Sequence, residues 1–286
     1  MRVLTGILLF WAALASASTD VVQRADDLYQ RTDYAGSLHI LAADPAPDAA
    51  SYMLTGKNYF MSGDYKRAVE FFEKARTITP GSSECELWLG RAWGRRAETG
   101  GWMMATAHAS KARQHFERAV ALDPHNREAK NDLFDFYLNA PGFLGGGLDK
   151  AERHARSIAV ERPAESELEL GQVAEKRKDY ATAESHIRRA MEFAPAEAGR
   201  VVDLARYLAR RGRLKESDEM FERARQMAPN KPGVLFAEAS VDVENHRDPQ
   251  HARELLQTYL HASLTPDDPP RQEAEKLLRH IGGAAE

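Results

Sequence analysis

Cysteine is almost absent from this chain of 286 residues: Cys85 stands alone, so no disulfide can form within the chain. Stability must therefore come from packing. Its place at the start of an apolar helical segment assigns Cys85 to the core as a small buried side chain. Neither sign of charge dominates. Basic and acidic residues are interspersed, the formal net charge is -4, and no basic run offers a footprint for a phosphate backbone or an anionic membrane surface. Nucleic acid is excluded as the expected partner. The 13 prolines and 19 glycines are modest for the length, and no stretch is simple enough to be a linker, so one continuous domain is expected.

Long apolar runs are missing too, apart from one at the start. Arg2 precedes an apolar stretch from Val3 to Leu14, and Ala15, Ser16 and Ala17 follow as the small residues a signal peptidase accepts. A membrane anchor is the competing reading, but this run falls short of the roughly 20 residues a spanning helix needs. Residues 1–17 are thus expected to be a signal peptide cleaved after Ala17, leaving a soluble protein across the inner membrane, in the periplasm, with no stable membrane insertion.

What is present is a repeat. Gly63, Asp64 and Tyr65 lead into Ala68, Phe72, Ala75 and Pro80. The same spacing returns as Ala112, Phe116, Ala119, Pro124, as Ala151, Ala155, Ile158, Pro163, as Ala183, Ile187, Ala190, Pro195, and as Ser217, Phe221, Ala224, Pro229. Intervals of three and four put these side chains on one stripe of a helix, and each proline ends it. Each copy has an upstream partner stripe: Tyr52, Gly56, Tyr59, then Leu89, Gly90, Trp93, then Leu133, Phe134, Tyr137, then Leu170, Gly171, Ala174, then Leu204, Ala205, Leu208. Each copy is a helix, a turn and a helix. Gly171 falls where the two helices must approach closely.

This pattern resembles the tetratricopeptide repeat. The resemblance implies an all-α, right-handed superhelical solenoid of about seven helix-turn-helix units, near 18–48, 49–82, 83–126, 127–163, 164–197, 198–231 and 232–265, closed by a capping helix at 269–281. It implies little about function.

Departures from the period carry more information. The unit starting at Ser83 has about ten extra residues, Ala97 to Thr106, and the unit starting at Arg127 about five, within Ala140 to Gly147; both are expected between the two helices of their unit, on one edge. Trp102, Met103, Phe143 and Leu144 make that edge apolar. Two accounts stay open: an added binding surface, or a structural staple in which the first insertion lengthens two helices and Trp102 packs on Phe143. The glycines of 142–147 lack the lysine and hydroxyl of a nucleotide loop.

No catalytic, cofactor or metal constellation emerges. His115, His154 and His186 recur at one place in successive units, but neighbouring units lie roughly 8 to 10 Å apart, too far to share a zinc ion. The expected function is a non-catalytic scaffold or adaptor of the cell envelope that binds a protein or peptide. By the family resemblance, the exposed fifth, ninth and twelfth positions of each first helix face the inside. These include Lys57, Phe60, Leu87, Arg91, Asn131, Leu168, Val202 and Ala209, of which Lys57, Phe60, Arg91 and Asn131 are candidate contacts. The peptide-carboxylate clamp of chaperone-binding relatives is not expected. The alternative function is binding of a small ligand or cell-wall fragment at the edge of the two insertions, with Arg95 and Arg96 beside Trp102 and Phe143. An enzyme on this scaffold is a third, weaker possibility.

Overall fold

The computed structural model describes residues 20–229 and 231–283, with the backbone alone of Trp102 and Gly283. The expected signal peptide, 1–17, lies outside them. The described residues contain no strand. They form helices α1 (20–30), α2 (Tyr34–Leu41), α3 (Ala49–Met61), α4 (Tyr65–Ile78), α5 (Ser83–Thr99), α6 (Trp102–Leu122) and α7 (Arg127–Asn139). A 3-10 turn (Gly142–Leu144) follows, then α8 (Leu148–Ser157), α9 (Pro163–Lys176), α10 (Tyr180–Phe193), α11 (Ala198–Arg210), α12 (Leu214–Met227), α13 (Pro232–Glu244), α14 (Pro249–His261) and α15 (Arg271–Gly283). Among the described residues, no helix is long and apolar enough to cross a membrane.

The chain forms two compact halves, one ending at Gly146 and one beginning at Gly147. In the first, α3 packs on α4, α4 on α5, and α5 on α6. In the second, α9 packs on α10, α11 on α12, and α13 on α14, with α15 lying on both α13 and α14. Ala274 and Ile281 of α15 join Leu235, Leu256 and Tyr259 in one apolar cluster, so this helix covers the exposed side of the last pair.

Local chemistry accounts for the pairs. Every member of the recurrent alanine stripe is buried, from Ala68, Phe72 and Ala75 to Ser217, Phe221 and Ala224. The partner stripe supplies the room. A Cβ placed on Gly56 would come within 2.5 Å of the Phe72 ring, one on Gly90 within 2.5 Å of the Phe116 ring, and one on Gly171 within 2.8 Å of Ile187 Cγ1. Three pairs thus use a glycine at one position to admit a bulky side chain from the second helix. The turns inside the pairs share a residue of left-handed backbone: Thr32 (φ 60°), Gly63 (81°), Lys178 (64°), Gly212 (74°) and His246 (52°). Aspartate then caps several second helices, with Asp33, Asp64, Asp179 and Asp248 accepting from backbone N–H groups of the first turn.

The first insertion lengthens the two helices of its unit. It makes no loop: α5 runs to Thr99, α6 starts at Trp102, and only Gly100 and Gly101 lie between. Ala97, Glu98, Met103, Met104 and Ala105 favour helix, and both helices lengthen until two glycines break them. The second insertion is the 3-10 turn, which packs on α6. Glycine is required there. Gly145 has φ 91° over the Arg113 side chain, and a Cβ on Gly146 would lie 2.0 Å from the Ala140 carbonyl oxygen.

Candidate functional site

The first helices of the first half, α3, α5 and α7, lie side by side. Trp88 stands at their centre, half-buried. Phe60 meets it edge-on, with ring centroids 5.3 Å apart, and meets Tyr65 likewise at 5.4 Å. Two cations flank the indole: Lys57 Nζ lies 5.3 Å and the Arg91 guanidinium 4.8 Å from its centroid. An aromatic pair at this spacing contributes about 0.5 to 1.5 kcal/mol beyond its buried area, and the cations stiffen it further.

Both cations are also tied to the next helix in the row. Lys57 donates to Glu84 at 2.5 Å, and Arg91 reaches Asp132 at 2.5 Å and Glu128 at 2.9 Å. Burial pushes the Asp132 carboxyl above its ordinary range, although Arg91 pulls the other way. Glu84 and Glu128 hold the same place in successive first helices, so one brace occurs twice. The second half uses related pairs between α9 and α11, Glu165 with Arg200 at 2.6 Å and Glu175 with Arg210 at 2.8 Å. Since Lys57 and Arg91 already hold carboxylates, neither is poised to grip a peptide carboxylate.

Of the candidate contacts, the structure brings Lys57, Phe60 and Arg91 together around Trp88. Asn131 is half-buried on α7. Sequence reading passed over Trp88 because it counted from the fifth position of each unit. That position is occupied by Leu87, which is buried. Leu168, Val202 and Ala209, also expected on the inner surface, are buried as well. These apolar side chains are turned into the core, and in α5 the adjacent Trp88 is half-buried.

Arg95 lies over the Tyr65 ring at 5.4 Å and pairs with Glu98, while Arg96 lies over Trp93 at 4.5 Å. Met103, at the start of α6, is 75% exposed and Phe143 81% exposed, while Leu144 is half-buried. Phe143 is thus mostly exposed. The Trp102 side chain lies outside the described residues.

Two of the recurrent histidines, His115 and His186, have a structural use. His115 Nδ1 lies 2.6 Å from the buried Glu86 carboxylate, which also faces Arg118 at 3.0 Å. In the second half His186 and Arg189 hold Glu167 in the same way, at 2.5 and 3.0 Å. Each clamp compensates a carboxylate on a first helix that would otherwise be costly to bury. No group of three or more potential metal-ligating side chains is found among the described residues.

A family model described as tetratricopeptide repeat matches residues 22–83. Solved structures resemble the fold. A tetratricopeptide repeat protein from Parabacteroides merdae aligns at a TM-score of 0.59 and 13% identity, over 93% of this chain and 99% of that one. A thermophilic TPR protein in Thermus thermophilus gives 0.53 and 18%, over 67% of this chain and 99% of that one. Human IFIT1, solved as a dimer with PPP-AAAA, gives 0.55 and 19%, over 84% of this chain and 53% of that one. At these identities the likeness is one of fold. No curated protein sequence matches the chain.

Proposed function

We propose that this chain, whose residues 22–83 match a tetratricopeptide repeat model and whose fold resembles tetratricopeptide repeat structures, is a non-catalytic adaptor that holds another protein or peptide across the row of first helices α3, α5 and α7. The observation that carries the reading is the half-buried Phe60–Trp88 pair, fixed between Lys57 and Arg91. A rigid aromatic pair in a partly desolvated setting is the type of group that dominates protein contacts. Holding its flanking cations in ion pairs lowers the entropy lost when a partner docks.

The test is site-specific crosslinking with a photoreactive residue in place of Phe60, in cells and in purified protein. Discrete adducts that vanish with Trp88→Ala, while the melting profile is kept, support the reading. Absence of any adduct from Phe60 under conditions in which an exposed residue elsewhere crosslinks would sink it.

The place of action follows from residues 1–17, whose short charged start, apolar run and small-residue end support export to the periplasm and a role in the cell envelope. An alkaline phosphatase fusion and the mass of the mature chain test this. Activity of the fusion and an N-terminus at Ser18 support it, and a cytoplasmic full-length chain contradicts it.

A further inference from the structure

The turn edge of the first half carries a second feature that the adaptor reading does not use. Arg95 Nε donates to the Tyr65 hydroxyl at 3.2 Å, which joins the end of α5 to the start of α4. The helix ends joined by this link carry Lys66 and Arg67 beside Tyr65 in the chain and Arg96 beside Arg95, with Asp64 paired to Arg67 and Glu98 to Arg95. Three of the cations rest on aromatic faces: Arg67 over Tyr59 at 4.6 Å, Arg95 over Tyr65 at 5.4 Å and Arg96 over Trp93 at 4.5 Å. Stacking fixes the plane of a guanidinium while leaving its N–H groups at the rim to donate. Met103 and Met104 stand at the other end of the same two-glycine turn, 75% and 54% exposed.

We propose that this edge binds a short acidic segment of a protein partner, one that also carries bulky apolar side chains. The inference rests on the adaptor reading and names the chemistry of a second contact. Arg67 and Arg95 now hold Asp64 and Glu98 in exposed pairs three residues apart. Such pairs contribute little, so a partner's carboxylate exchanges for them at small cost, and the arginine fork takes it in bidentate fashion. The methionines supply adaptable apolar contact next to the charge. A long polyanion fits less well. The chain as a whole carries -4, and the cations sit on two short helix segments, the first turn of α4 and the last turns of α5, instead of along a track that a backbone could follow.

The probe is a fluorescein-labelled peptide that alternates aspartate with leucine and phenylalanine, and its control has asparagine at every aspartate. Anisotropy is read with the full mature chain at low salt, about 0.05 M, and again at about 0.3 M. Expected are binding of the acidic peptide only, roughly tenfold weakening by Arg95→Glu with Arg96→Glu, and a smaller loss with Met103→Ser and Met104→Ser. Lys66→Glu with Arg67→Glu, on the exposed start of α4, repeats the charge reversal should the first variant fold poorly. Equal binding of both peptides, unchanged affinity in both charge-reversed variants, or tighter binding of an oligodeoxyadenylate than of the acidic peptide overturns the proposal. The Phe60 crosslinks are followed in the same charge-reversed variants. Adducts that persist there while the peptide fails to bind leave the adaptor reading standing without this edge.

Discussion

Gly171 lies so close to Ile187 that a Cβ on it would stand 2.8 Å from Ile187 Cγ1 and 3.2 Å from the Ala183 carbonyl oxygen. One side of that contact is backbone and cannot turn aside. Gly171→Leu is therefore expected to force α9 and α10 apart and to destabilise the second half by about 1 to 3 kcal/mol. Urea melts of the variant beside the parent measure it, and coincident curves would contradict the packing of this pair.

Asp64 caps α4, and its carboxyl is held below the ordinary range by the Arg67 backbone N–H and then by the Arg67 side chain. Glu152 is likewise held low, by Arg156 and Arg177. A carboxyl whose pKa is lowered by folding adds stability above its unfolded pKa, about 4, and loses it as pH falls through the folded value. Asp64→Ala is expected to cost about 1 kcal/mol at neutral pH. The gap between variant and parent should close as the solution is taken below about pH 4. A gap that is constant with pH would remove the carboxylate from the account.

Cys85 is wholly buried, with its Sγ 3.2 Å from the Phe72 carbonyl oxygen, and burial together with Glu86 pushes its thiol up to about 12. The thiol, not the thiolate, is present at neutral pH. Ellman's reagent should leave the native chain unmodified and react fully once urea unfolds it. Fast reaction of the folded protein would place Cys85 at the surface.

Phe143 is held out from the 3-10 turn, and its removal uncovers nothing. Phe143→Ser is expected to change stability by less than about 0.5 kcal/mol. Together with Leu144→Ser it should reduce capture of the partner identified through Phe60. A large fall in melting temperature, with capture retained by the folded fraction, would assign both side chains to packing.

The stripes were legible in the sequence because they are local. Ala68, Phe72 and Ala75 share a face through helical geometry alone, and Gly56, Gly90 and Gly171 mark where a second helix presses on the first. Contacts across helices were not legible. The spacing of His115 and His186 was visible, but the carboxylates they serve, Glu86 and Glu167, lie 29 and 19 residues upstream and look like ordinary surface glutamates. At the fifth position of α5 the register was off by one residue: one residue on a helix is about 100° of rotation, enough to exchange Trp88 for Leu87, while Lys57, Phe60 and Arg91 fell on the expected face. Repeat length alone left open whether Ala97 to Thr106 adds a surface or lengthens two helices, and the composition on both sides of Gly100 and Gly101 favours the longer helices.

The brace that ties Lys57 to Glu84 recurs as Arg91 with Glu128, so the join between the second and third pairs uses the same chemistry as the join between the third and fourth. A connector of this kind recognises a kind of neighbour, not a particular one. Duplication of the segment that encodes one pair would produce a copy already equipped to dock on both sides, with a cation for the glutamate ahead and a glutamate for the cation behind. Order along the array must then be enforced elsewhere, by features that do not repeat, such as the lengthened α5 and α6 or the glycine turn at Gly145. Those irregular places are what would keep a lineage of such chains from growing or shrinking without consequence.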